Sequence, residues 1–175
     1  MASIPRFPVH ILMRRTPLAS RWASEKWAPL AIEIAGVPGD DLVTTPLPPV
    51  CVRNDASGAL WRFAGFALEL HQSEGEGYYL NLREDVPQVF VMWRRDEARV
   101  PPVFPVYATV SYNEAARSMD GGETVDPVPL APEIRAWVAP YIREHYRPEP
   151  KGKRRRNDPF RDGAFKKTRD LPPEQ

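Results

Sequence analysis

The stretch Leu60–Arg94, LWRFAGFALELHQSEGEGYYLNLREDVPQVFVMWR, alternates apolar and polar residues with period two and so constrains the chain to a sheet. Trp61 and Phe63 share one parity, whereas Phe66, Leu68 and Leu70 share the other. The frame therefore shifts at Ala64-Gly65, and a bulge at Gly65 is the simplest device that does it. Gln72–Gly77 is polar and holds two glycines, which predicts a hairpin loop. A return strand is expected to follow, with Tyr78, Leu80 and Leu82 on one face, and Val89–Trp93 reads as a third strand covered on both sides.

Elsewhere the pattern adds strands at Val9–Arg14, Trp27–Ile34 and Val103–Val110, with a short one at Val50–Val52. Pro29 places the start of its strand at an edge or bulge. Twenty-one prolines, about twice the usual share, keep elements short. Gly36–Gly58 is the least regular part of the body, and Thr16–Lys26 is a connector carrying Trp22. Ser111 followed by Glu114 is a capping box, predicting a helix from about Tyr112 to Met119 that stops at Gly121-Gly122. Glu123–Leu130 reads as an extended link. A last helix begins at Pro132 with the stripe Ile134, Trp137, Val138, Tyr141 and Ile142, and Pro140 should kink or break it.

The fold expected is α+β and mainly antiparallel, with about six strands in a bent sheet or partly open barrel and two C-terminal helices. A single β-rich domain is expected over residues 1–147 and a basic, disordered tail over 148–175. Residues 151–175 hold nine Lys/Arg and four Asp/Glu, net +5, against −4 for residues 1–150. The charge split permits an acidic protein partner, nucleic acid or the body itself to attract the tail.

Candidate chemistry is sparse. Cys51 is the sole cysteine, which excludes an intramolecular disulfide and a cysteine-based zinc site. His10, His71 and His145 lack metal-ligand spacing, and a His71–Cys51 dyad has only residue type in its favour. Asp40-Asp41 reads as a solvated pair. Glu74-Gly75-Glu76-Gly77 lacks the lysine and hydroxyl of a phosphate loop. No catalytic, cofactor or metal residue is assigned. Trp22, His71, Glu74 and Glu76 mark a surface-site candidate. The tail offers partner-binding residues in Lys153, Arg154, Arg155, Arg156, Phe160, Phe165, Lys166 and Lys167, basic groups interleaved with aromatic anchors. With no membrane-length apolar run and no secretory signal, the chain is expected in the cytoplasm.

The ordered set RWASEKW, LELHQSEGEGYYLNL, VFVMWR and ATVSYNEAARSMDGGETVDPVPL resembles an uncharacterised proteobacterial family, domain of unknown function 3305, from about Phe7 to Arg156. Its members occur beside genes of molybdenum-dependent formate dehydrogenase. The resemblance implies an accessory role and supplies no catalytic residues. Some members carry labels borrowed from molybdopterin cofactor biosynthesis, yet FPVHILMRRTPLAS lacks the glycine-rich loop that a guanylyltransferase of that pathway needs. The function expected is a non-catalytic accessory or protein-interaction domain that supports maturation or regulation of a molybdoenzyme, formate dehydrogenase. The alternatives are nucleic-acid binding through the tail and a small-ligand binder or enzyme with a pocket near residues 36–58.

Overall fold

The structure is a computed structural model that describes residues 3–40 and 42–149. Among the described residues, eight strands form two antiparallel sheets, with three α-helices. The strands are β1 (Pro5–Pro17), β2 (Glu25–Ile34), β3 (Gly39–Asp40), β4 (Val50–Asp55), β5 (Gly58–Glu69), β6 (Gln88–Arg95), β7 (Val103–Thr109) and β8 (Thr124–Pro129); the helices are α1 (Gly75–Leu82), α2 (Tyr112–Asp120) and α3 (Pro132–His145). The first sheet has the order β2-β1-β5-β4, with β3 also on β1, and the second has the order β7-β6-β8. The α+β, mainly antiparallel class holds, and the strands divide between two sheets without closing a barrel.

Each sheet turns an apolar face inward. Val9, Ile11 and Met13 on β1 are completely buried, and they meet Val89 and Val91 of β6, Val103 of β7 and Val128 of β8 in one core. Full burial of such side chains stabilises by about 1.5–3 kcal/mol apiece. The helix α3 closes one end through Ile134, Val138 and Ile142, and Trp137 meets Phe7 edge-to-face at 5.3 Å. It runs on through Pro140, which neither breaks nor ends it. Proline costs a helix one hydrogen bond, and this one lies on the exposed side, away from the Ile134–Val138–Ile142 stripe.

The largest departure from the sequence pattern lies between β5 and β6. Gln72–Glu74 is a 3-10 turn and Gly75–Leu82 is helical, so the predicted hairpin loop and return strand are not formed. Tyr78, Tyr79 and Leu82 satisfy helical spacing as well as Tyr78, Leu80 and Leu82 satisfy a strand. Close packing decides the matter. A side chain at Gly77 would place its Cβ 2.2 Å from Ser111 Oγ and 3.1 Å from the Asn113 nitrogen, so α1 lies directly against the start of α2. Asn81, buried on α1, donates to the carbonyls of Gln88 (2.7 Å) and Val110 (2.9 Å) and accepts from the Gln88 N–H (3.0 Å), which ties the helix to the start of β6 and the end of β7. The predicted link Glu123–Leu130 is an edge strand, β8, despite its prolines.

The other sequence signals are met locally. Glu114 N–H donates to Ser111 Oγ at 3.1 Å and caps α2. The return half of the capping box is relayed: the Ser111 N–H reaches Thr109 Oγ1 (3.0 Å), whose hydroxyl donates to Glu114 (2.6 Å). Between β1 and β5 the pairing jumps from Val9↔Phe66 to Ile11↔Phe63, leaving Ala64 and Gly65 against His10 alone. Between β1 and β2 it jumps from Leu12↔Ala31 to Met13↔Pro29, and β2 is an edge strand.

Gly65 has φ +85°, and a Cβ there would lie 1.9 Å from the Thr45 carbonyl oxygen. Gly65→Ala combines left-handed strain with a backbone clash. It is expected to lower stability in urea unfolding by about 2–3 kcal/mol; a midpoint equal to that of the parent chain would mean that β5 and the Thr45 segment are not held together as described.

Candidate functional site

The residues around Gly65 organise two recesses. Chain 42–49 crosses β5 as a strap, with the Leu47 N–H bonded to the Ala64 carbonyl at 3.0 Å. Pro46 and Phe66 form walls of both recesses. On one side lies a polar cavity of about 330 Å³ lined by Thr44, Glu69, His71, Tyr107, Thr109 and Glu114. On the other lies an apolar cleft of about 500 Å³ walled by Leu47, Pro49, Phe63, Val100 and Phe104, among others. Its one charged wall residue is Arg99, whose guanidinium sits 3.8 Å from the centre of the Phe104 ring and pairs with Asp96 at 3.2 Å.

In the polar cavity Glu69 is the bridging group. One carboxylate oxygen accepts from Arg6 Nε (2.8 Å) and the other faces His71 Nε2 (3.1 Å). Tyr78 lies behind them. Its hydroxyl accepts the His71 N–H (3.0 Å) and donates to the Glu69 carbonyl (3.4 Å). Burial is the main reason its phenol is held well above the ordinary tyrosine range; the nearby Glu114 and Glu74 charges add to this, and the His71 N–H works the other way. The arrangement orients His71 through its Nε2 contact with Glu69 and its N–H to Tyr78. No group of three or more His, Cys, Asp or Glu side chains among the described residues is arranged to hold a metal ion.

The surface-site candidates separate. Glu74 accepts from Ser111 Oγ (2.6 Å) and pairs with Arg117 (2.5 Å), so it fastens α1 to α2. Glu76 takes a long contact from Asn113 Nδ2 at 3.5 Å. His71 is the only one of the four in the polar cavity. Trp22, in the loop between β1 and β2, is 87% exposed with Arg21 over its ring. Cys51 of β4 pairs opposite Trp61 of β5, whereas His71 follows the far end of that strand beyond Glu69, so no dyad forms. Asp40 accepts from Ser3 Oγ at 3.0 Å. The tail candidates Lys153–Arg156, Phe160, Phe165, Lys166 and Lys167 lie outside the described residues.

Sequence reasoning placed a short strand at Val50–Val52 but missed its open edge. All six residues of β4 are exposed, including Val50 and Val52, and among the described residues it pairs with β5 alone. The chain passes from the cleft wall at Leu47 and Pro49 directly into this strand. A count of prolines by strand would have found it. The other long edge strands carry proline: Pro29 in β2, Pro105 in β7, Pro127 and Pro129 in β8. β4, VCVRND, has none.

A family model described as Protein of unknown function (DUF3305) matches residues 8–155. The chain belongs to that family. No curated protein and no solved structure matches it. Among the described residues of this family member, no helix is long and apolar enough to cross a membrane.

The Tyr78 environment has a pH consequence. A neutral acid whose folded pKa is raised leaves the folded state with more bound protons than the unfolded one above about pH 10. Stability should therefore be unaffected by this group at neutral pH and fall as pH rises through and beyond about 10. In Tyr78→Phe that alkaline loss should shrink when unfolding free energy is followed against pH; an unchanged slope would mean that Tyr78 ionises normally.

Proposed function

We propose that the protein is a non-catalytic accessory domain that holds an extended, apolar segment of another protein along β4 and in the adjoining cleft. The observation that carries this reading is the contrast among the sheet edges. Proline removes a backbone donor and blunts an edge against further pairing. β2, β7 and β8 are blunted in this way, whereas β4 keeps its donors and exposes Val50 and Val52. An added strand gains affinity from backbone hydrogen bonds and selectivity from the pockets that take its side chains. The cleft beside β4 supplies aromatic and proline walls suited to one large apolar side chain.

The bulge at Val52, where pairing jumps from Cys51↔Trp61 to Arg53↔Leu60, limits the flat part of the edge. Arg53 and Asp55 occupy its far end and pair with each other at 3.4 Å. Together these features favour a short, specific addition over open-ended sheet growth. The resemblance to a family found beside formate dehydrogenase genes makes a component of that enzyme the first partner to test.

Val50→Lys/Val52→Lys tests the reading. Both positions are exposed, so folding stability should change by no more than about 0.5 kcal/mol per site. A stoichiometric partner that co-purifies from native cells with the parent chain should be lost with the double variant. Retention of that partner in full amount would overturn the assignment of β4.

A further inference from the structure

A third recess, remote from β4 in the chain, lies where α1 ends and β6 begins. It has a volume of about 380 Å³ and is lined by Asn81, Glu84, Asp85, Val86, Phe90 and Tyr112. Phe90 and Tyr112 meet edge-to-face at 6.1 Å, and Val86 and Tyr112 are exposed at 60% and 51%. Glu84 and Asp85 have no side-chain hydrogen bond or ion pair with any described residue. The cations nearest in sequence or contact are engaged elsewhere. Arg83 donates to the Tyr79 hydroxyl (3.1 Å) and lies over its ring, and Arg135 donates to the Leu82 carbonyl (3.5 Å). The recess therefore pairs aromatic and aliphatic walls with two free negative charges at its rim. That chemistry fits a basic segment bearing an aromatic side chain.

We infer that this recess is the docking site for the chain's own segment 151–169, with Phe160 or Phe165 against Tyr112 and the flanking Lys and Arg residues beside Glu84 and Asp85. Three observations converge on it. Residues 151–175 carry net +5 and residues 1–150 net −4, so attraction within one chain is built into the sequence. The segment interleaves Phe160 and Phe165 with KGKRRR and KK, matching a recess that has both wall types. The route is also short. After α3 the chain lies on α1: Tyr146 packs on Tyr79 at 5.3 Å, and a Cβ on Gly75 would come within 2.9 Å of Tyr146 Cβ. From there to the far end of α1 is about 12 Å, eight residues at 1.5 Å each. The eleven residues from Glu149 to Phe160 span up to about 36 Å. Because this face shares no residue with β4 or its cleft, the inference stands apart from the proposed function.

Lysine usage makes the test clean, since Lys26 is the sole lysine outside 151–175. The full chain is treated with a zero-length carboxylate-to-amine cross-linker at low protein concentration, using an equal mixture of isotopically light and heavy copies. Lysines of 151–167 should couple to Glu84 and Asp85 within single copies. Coupling should be lost when salt shortens the Debye length to about 3 Å, near 1 M, and should also fall sharply in Phe160→Ala/Phe165→Ala and in Tyr112→Ala, with the folded circular dichroism spectrum retained. Coupling spread evenly over exposed carboxylates such as Glu97 and Glu133 would overturn the inference. So would light-to-heavy coupling only, or coupling indifferent to the phenylalanine and tyrosine variants.

Discussion

The contact between the strap and β5 sets the shape of the molecule's central region. The Leu47 N–H binds the Ala64 carbonyl, and the Thr45 carbonyl occupies the space that a side chain at position 65 would fill. One glycine thus serves two ends. It absorbs the extra residue that changes which β5 side chains face the core, and it admits a second stretch of backbone onto the strand. Without the first, Phe63 and Leu68 could not both point inward from the same strand. Without the second, the polar cavity and the apolar cleft would be one undivided trough.

The two sides of the strap differ in character because different elements wall them. The polar side takes Glu69, His71, Thr109 and Glu114 from the strand ends nearest the helices, where cap and turn groups gather. The apolar side takes Phe63, Phe104 and Val100 from the opposite direction, toward the exposed turn between β6 and β7. Polar groups on the first side are largely spoken for: Glu69 by Arg6 and His71, and Thr109 by Glu114. Such a saturated network rigidifies its surroundings. The second side offers apolar surface beside open backbone, which is where association with another chain gains most.

How far the sequence could be read depended on whether one pattern had one physical meaning. β1 and both halves of β5 were legible from apolar residues two apart, and β6 from a short run apolar on both faces; neither pattern continues far enough to describe a helical stripe. The α3 stripe and the Ser111 cap were similarly unambiguous. Residues 72–82 failed because their apolar positions fit both periods, and because Gly75 and Gly77, which look like turn residues, make room for the Tyr146 side chain and for the Ser111–Asn113 start of α2. Asn81 gave no signal, since nothing local separates an asparagine on a surface from one that binds two carbonyls and an N–H across the fold. β8 was hidden by Pro127 and Pro129, which an edge strand tolerates. Of the candidate site, His71 was legible as a residue; the cavity around it depends on contacts between segments about forty residues apart. The β4 edge was written in the distribution of prolines between strands, which acquires meaning only once strand order is known.

The position of β1 between β2 and β5 also bears on how the protein is made. β2 follows β1 after a seven-residue connection, so this pair can form as soon as both have been synthesised. The other flank of β1 must wait for Gly58–Glu69, and it carries the same residues, from Arg6 to Arg15, that the finished protein holds in pairing. During synthesis the nascent hairpin therefore presents an unpaired strand bearing Val9, Ile11 and Met13 until roughly thirty-five more residues emerge, an interval of about 2–7 s at ordinary elongation rates. Pro8, on that flank, and the arginines at positions 6, 14 and 15 act in that interval as gatekeepers against pairing with another chain.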